Sequence, residues 1–340
     1  MNGKNYVDGV LVDWGSTLFN VRPVAPVAPK KGLTGLPLIP RRHPAGGGLT
    51  GQGRVKADAT AIRSKLGSIV KRTPQVMVKI SGGGKGMRQI KNHLDYISRN
   101  GKLEVEDQNG STIKGHEELL DLHGEWQDGG FKVSDESEKR EAFNIVLSMP
   151  KGTDSLAVKR AARDFAGREF ANYQYVMVLH TFDTDPDPEP SHNPHVHLCV
   201  KSRSLDGTRL NPRKGDLQRW REGFAEALRE NGVEAAATNR LQRLQRDRGQ
   251  KQSVRQMKQR GKTLDRGGRS NASLERVAKA KHTQDMVLRG YREIAKALAT
   301  SDDVDDRKLA VGIVHHLEEQ VVQIDLNKSK EKDKGLKQEL

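Results

Sequence analysis

A single cysteine, Cys199, occurs in 340 residues. That excludes an intramolecular disulfide and any cysteine-rich zinc module, and it suggests a reducing compartment. Aromatic residues are scarce at 4%, and hydrophobic residues reach only 34%. Such a chain has material for one compact core, with sizeable solvated or disordered parts beside it. No apolar run approaches the ~18–20 residues of a membrane span. The opening MNGKNYVDGVLVDWGS lacks the basic-then-apolar order of a secretory signal. The expectation is a soluble intracellular protein with no membrane insertion.

Acidic residues are also in deficit. Against 44 Asp and Glu stand 59 Lys and Arg, a formal charge of +15, which favours a polyanionic partner. The length leaves room for a catalytic domain of about 150–200 residues with appendages. Residues 1–72 are rich in proline, glycine and cations and read as a mostly disordered basic arm, with one short helix available from Ala57 to Val70. Residues 73–235 read as the compact domain, 236–325 as a basic helical region and 326–340 as a disordered tail. Between Arg240 and Arg269 only Asp247 and Asp265 oppose the cations. A solvated helix face is the plain reading of a charge run, but one this one-sided fits a path of phosphates, with Arg240, Arg243 and Arg255 as contacts.

Within the compact domain, Gln75–Ile80 reads as a strand ended by Ser81-Gly82-Gly83-Gly84-Lys85-Gly86. The glycine loop lacks the GxxxxGK[ST] order of an ATPase phosphate cradle. Met87 to Asn100 carries Ile90, Leu94 and Ile97 at helical spacing, with Gly101 as the stop. Tyr96 falls off that apolar stripe; taken alone, such a tyrosine is more often a packing residue than a nucleophile. Leu103 to Gly130 is polar, with turns at Gly110 and Gly115 and a short helix at Glu117–Asp121. A strand follows at Glu141–Met149, a helix capped by Ser155 runs to about Asn172, and strands 175–180 and 195–200 enclose an acidic, proline-rich loop. Residues 214–231 form an amphipathic helix on Leu217, Trp220, Phe224 and Leu228, and two more helices are expected at 273–299 and 306–323. The order predicts an α+β fold, a mostly antiparallel sheet with helices on one face.

The chemistry concentrates in two of those strands. His195 and His197 are two apart, so both point to one face while Val196, Leu198 and Val200 point to the other. His180 ends the preceding strand, and antiparallel pairing would set it beside His195. Three neutral imidazoles on rigid backbone make an open-sided site for a divalent ion. Asp183 and Asp185 follow closely enough to accept an imidazole N–H. A His-x-His pair by itself is more often surface decoration; the third histidine across the hairpin is what favours metal. Position 199 is cysteine, which departs from a histidine-triad nucleotide hydrolase. His192, in the proline-rich loop, is an alternative ligand.

Three stretches together resemble the conjugative relaxases of the P-type mobilisation class (MobP), close to the T-DNA border endonucleases of the HUH endonuclease superfamily. They are Asn92-His93-Leu94-Asp95-Tyr96-Ile97-Ser98-Arg99-Asn100-Gly101-Lys102, Ile145 to Thr153 (IVLSMPKGT), and His180 with Asp183, Asp185 and Asn193-Pro194-His195-Val196-His197. The resemblance spans roughly Val76 to Gly232. The stretch PDPEPSH (186–192) reads as an insertion relative to that pattern. By this resemblance residues 73–235 would be an HUH-type nuclease domain. Tyr96 would attack a phosphodiester at the nick site of a transfer origin and stay joined to the 5′ end. His180, His195 and His197 would hold Mg2+ or Mn2+, and Asp183 or Asp185 would orient a histidine or help activate the tyrosine. Ser148, Lys151 and Arg99 would contact DNA that is single-stranded around the nick. The implied partners are accessory relaxosome proteins and a type IV secretion coupling protein. The implied location is the bacterial cytoplasm, with transfer to a recipient cell while joined to DNA. The rival readings are a rolling-circle replication initiator, a non-catalytic basic DNA-binding accessory protein, and a structural zinc site.

Overall fold

The computed structural model describes residues 3–19, 52–245 and 274–336, with 257, 260 and 261 between the last two stretches. In chain order the elements are α1 (Gly3–Phe19), α2 (Gln52–Val70), β1 (Met77–Gly82), α3 (Met87–Ser98), β2 (Val105–Asp107), β3 (Thr112–Ile113) and α4 (His116–Asp128). They continue as β4 (Ala142–Ser148), α5 (Ser155–Glu169), β5 (Tyr175–His180), β6 (His195–Lys201), α6 (Lys214–Glu230), α7 (Leu274–Ala299) and α8 (Val304–Leu336). Two compact units result: Thr73–Ala237, which holds the sheet, and Met1–Arg72 with Thr238–Leu340, which is helical.

The sheet has six strands in the order β1-β4-β6-β5-β2-β3, and every neighbouring pair is antiparallel. The fold is therefore α+β, as the element order predicts. Alternation sorts β6: Val196, Leu198 and Val200 enter one core with Leu147, Met177, Phe165 of α5 and Phe224 of α6. Cys199 faces the other way and joins Val176, Val178, Ile90 and Leu94 of α3 and Trp126 of α4. Fully burying a Leu or Phe contributes about 1.5–3 kcal/mol, so each layer is strongly tied to the sheet. Trp220 of α6, 1% exposed, donates its indole N–H to Glu169 at 2.7 Å, whereas the indole N–H of Trp126 is buried without a partner. The layer of α5 and α6 is the one-face arrangement expected; α3 and α4 add a second layer on the opposite face. Strand β5 shows why, since both its faces are buried.

Some local expectations change. The polar stretch after Leu103 contains β2 and β3, three and two residues long, too short to show a period in sequence. Helix α4 runs to Asp128, well beyond Glu117–Asp121, because Leu119, Leu122 and Trp126 all pack inward. Asp154, not Ser155, caps α5 by accepting from Leu156 N at 2.9 Å.

In the helical unit, α2 begins five residues before the expected Ala57, and α1 was not anticipated. Both supply core residues, Val7, Leu11, Ile62 and Leu66, which meet Tyr291, Ile294 and Leu298 of α7 and Ile313 of α8. Arg63 holds the group together, donating to Asp306 at 2.6 and 2.9 Å and to Asp8 at 2.7 Å. The tail expected to be disordered from residue 326 is helical to Leu336. Its four lysines, Glu331 and Leu326 are good helix formers, set against Asn327, Ser329, Asp333 and Gly335, which are poor ones.

Candidate active site

The site is built at one end of the two central strands. Register pairs His180 with His195 between β5 and β6, and Ser148 with His195 between β4 and β6. His197 lies opposite Val178 and Val146. One ring nitrogen from each of His180, His195 and His197 lies within 4.8 Å of the others. Among the described residues this is the group with metal-ligating geometry.

Each imidazole is prepared differently. His195 Nδ1 lies 2.9 Å from Asn193 O, so it carries the hydrogen and leaves Nε2 as a lone pair. His197 has a buried Nδ1 with no partner, and burial pushes its pKa down to about 2. Burial lowers His195 as well. Both rings are thus neutral at pH 7, the form a cation requires. His180 is fully buried, with Nδ1 2.7 Å from Asp185 Oδ2 and Nε2 2.7 Å from Ile97 O. Both partners are acceptors, and a neutral ring donates to one of them at a time. Ligation by His180 uses the other nitrogen, turned away from its acceptor. With that exchange the three residues fit a divalent ion, and the partnerless nitrogen of His197 is the strongest sign of it.

The turn after β5 selects between the two aspartates. Thr181 Oγ1 accepts from Thr184 N at 3.2 Å and Asp185 N returns to Thr181 O at 3.2 Å, which folds Asp185 under His180. Asp183 points out and is exposed. His192, the alternative ligand, stacks on Phe182 with ring centroids 4.0 Å apart and is outside the histidine group.

Tyr96 comes from α3, whose inner stripe, Ile90, Leu94 and Ile97, is fixed in the core. That fixes the outer face too, where Tyr96 is 57% exposed. Its ring stands edge-on to His197 with centroids 6.4 Å apart. One turn earlier, His93 stacks on Tyr96 at 6.4 Å and meets His197 at 6.4 Å. His93 Nε2 is buried without a partner, and burial lowers the pKa to about 4, so this ring is neutral too. His93 has no role among the expected site residues; its i, i+3 spacing from Tyr96 is the signal in the sequence that points to it.

Helix α3 ends in three left-handed residues, Arg99 (φ 54°), Asn100 (φ 56°) and Gly101 (φ 79°). A side chain at Gly101 would come within 2.5 Å of Gly115 O, so only glycine fits. The turn throws Arg99 back across the site. Its Nε and Nη2 hold Asp185 at 2.8 and 2.9 Å, Nη2 reaches Asp187 at 3.1 Å, and the guanidinium lies 4.9 Å from the centre of the Tyr96 ring. Hydrogen bonding by Arg99 accompanies an Asp185 carboxyl pushed far below the usual carboxylate range against the opposing effect of its burial. Arg99, an expected DNA contact, here bonds Asp185 and lies over the face of Tyr96.

The remaining expected contacts are dispersed. Ser148 is buried beside His195, with its hydroxyl 3.4 Å from Met149 O. Lys151 is exposed, and its backbone N–H donates to Asn193 Oδ1 at 3.0 Å, joining the second and third motifs. Arg240 is exposed in the helical unit, while Arg243 is half-buried and turned onto Thr238 O and Oγ1. Arg255 lies outside the described residues.

Residues 96–233 match the family model for the relaxase MobA/VirD2-like nuclease domain. The T-DNA border endonuclease VirD2 of Rhizobium radiobacter is 29% identical over 190 residues, covering 50% of this chain and 43% of that protein. The VirD2 proteins of Rhizobium rhizogenes and Agrobacterium fabrum are each 28% identical over 190 residues, 42% and 40% of their lengths. The chain thus matches less than half the length of these relatives.

Proposed function

We propose that this chain, whose residues 96–233 match the family model for the relaxase MobA/VirD2-like nuclease domain, nicks one strand of DNA at an origin of transfer and rejoins it during conjugative mobilisation. In the forward step Tyr96 Oη attacks the phosphorus of one phosphodiester. The bond to the 3′ oxygen of the preceding nucleotide breaks, that oxygen leaves as a hydroxyl, and the 5′ phosphate stays on the tyrosine. Attack by a 3′-hydroxyl reverses the step, so rejoining needs no ATP.

The placement of Tyr96 against the histidine group, 6.4 Å from His197 between ring centres, carries this reading. A tyrosine hydroxyl, with an ordinary pKa near ~10, is a weak nucleophile until its oxyanion is stabilised. His180, His195 and His197 would hold Mg2+ or Mn2+, which supplies positive charge against a phosphoryl oxygen. Asp185 orients His180, and Arg99 holds Asp185 while lending its own charge to the Tyr96 ring. DNA around the nick is unpaired, since a tyrosine on a helix reaches a phosphate only where the stack is opened. Action in the bacterial cytoplasm, with accessory proteins that open the duplex and a type IV secretion coupling protein, belongs to the same proposal. No helix among the described residues is long and apolar enough to cross a membrane.

The test is a supercoiled plasmid carrying the element's transfer region, incubated with the protein and Mn2+ or Mg2+. After detergent and protease, a Tyr96 peptide on a 5′ end is the expected product. A nick without a covalent peptide would indicate a hydrolytic nuclease. DNA binding without a nick would leave a non-catalytic binding protein.

A further inference from the structure

The opposite end of the same strands carries a second basic site. The histidines sit where Ser148 pairs with His195; six residues along, Ala142 pairs with Lys201. At ~3.4 Å per residue that is roughly 20 Å away. Alternation puts Lys201 in the row of His195, His197 and Cys199 on one face of the sheet. There a cleft of about 160 Å³ is lined by Lys132, Lys139, Lys201, Arg203 and Arg209, with Glu141 as its one carboxylate. Glu141 is already engaged by Arg209 at 3.1 Å and by Ser137 Oγ at 3.0 Å. A neighbouring hollow of about 430 Å³ shares Lys139 and Arg209.

Two features mark this as more than scattered surface charge. Lys201 is 3% exposed, yet its ammonium bonds only neutral acceptors, Gly129 O at 2.9 Å and Gln174 Oε1 at 3.3 Å. Glu125 and Glu141 act on it only through space, with no carboxylate in hydrogen-bond contact, and an anion in the cleft would supply the close counter-charge that a buried cation favours. Beside it Phe131 is 40% exposed, with the Arg203 guanidinium 4.6 Å from its ring centre. An aromatic face with a stacked guanidinium, next to a group of cations, suits a nucleobase and its phosphate together; inorganic phosphate would use only the cations.

We propose that this cleft is a second binding site for single-stranded DNA, seating a base on Phe131 and a phosphate over Lys201. It rests on the relaxase reading for the identity of the polymer. At ~3.4 Å per stacked nucleotide, the site lies about six nucleotides from the histidines.

The test uses the full chain and a fluorescent 20-nucleotide oligothymidylate, read by anisotropy across a salt series. The double variant Phe131→Ala/Arg203→Ala is expected to bind about 10-fold more weakly, with a shallower salt dependence and an unchanged Tm. Independently, an oligonucleotide containing 5-iododeoxyuridine, irradiated with the wild-type protein, is expected to crosslink to a peptide containing Phe131. Wild-type affinity in the double variant, or crosslinks confined to other peptides, would overturn the site. Competition by inorganic phosphate as effective as competition by the oligomer would reduce it to an anion site and overturn the nucleic-acid assignment. Neither result depends on nicking, so failure of the relaxase reading shows separately, as absence of the Tyr96 adduct.

Discussion

Replacing Arg99 by Gln separates two accounts of one residue. If Arg99 binds a DNA phosphate, the variant loses affinity, and a higher DNA concentration restores the rate. If it acts through Asp185 and Tyr96, the rate falls even at saturation. The guanidinium makes two charge-assisted bonds to Asp185, 2.8 and 2.9 Å long, with side chains 16% and 2% exposed, so solvent screens them little. Removing one partner of such a buried pair costs ~3–5 kcal/mol, spread over folding and site geometry. Displacement of a reacting group by about an ångström costs about 10²-fold in rate, or about 2.7 kcal/mol at ~1.36 kcal/mol per decade. Arg99→Gln should therefore form the covalent adduct about 10²-fold more slowly in single-turnover assays at saturating DNA. Its affinity for single-stranded DNA should change by less than about 3-fold. Arg99→Lys should recover little, since an ammonium cannot grip Asp185 with two parallel bonds while lying flat on a ring. A saturated rate within about 3-fold of wild type would refute this reasoning and return Arg99 to the DNA surface.

Three further outcomes are expected. Asp185→Asn should lower adduct formation by about 30-fold or more, whereas Asp183→Asn, at an exposed position, should stay within about 3-fold; equal losses would contradict the selection made by the turn. His195→Ala and His197→Ala should each lower nicking by about 10²-fold or more and weaken Mn2+ binding measured by calorimetry; near-wild-type nicking by both would remove the metal reading. Arg63→Met should destabilise the helical unit by about 2–3 kcal/mol in urea unfolding, because Asp8 and Asp306, with side chains 4% and 6% exposed, lose their shared cation. An unchanged midpoint would mean that water already satisfies those carboxylates.

What the sequence disclosed follows from the range of the interactions involved. His195-Val196-His197 announces its geometry because side-chain direction in a strand alternates with period 2, and pairing with His180 follows from one hairpin. The stripe of Ile90, Leu94 and Ile97 likewise puts Tyr96 on the outer face of its helix. The choice of Asp185 over Asp183 was not legible, since it rests on a threonine turn and on Arg99 arriving from another element. Arg99 itself reads as a surface cation until three left-handed residues turn it inward. Helix α1 escaped notice because Val7, Leu11 and Leu18 have apolar partners only in segments far along the chain.

The division of the chain also orders its biosynthesis. Thr73–Ala237 is one contiguous segment, so it can fold as soon as residue 237 has left the ribosome. Helices α1 and α2 emerge before it but pack with α7 and α8, which are made last. Until then the faces of α1 and α2 that meet α7 and α8 lack those partners, while more than two hundred residues are added. At ~5–20 residues per second that interval lasts roughly 10–40 seconds. The sheet unit, one contiguous segment, is thus complete in the growing chain before all the segments of the helical unit have been made.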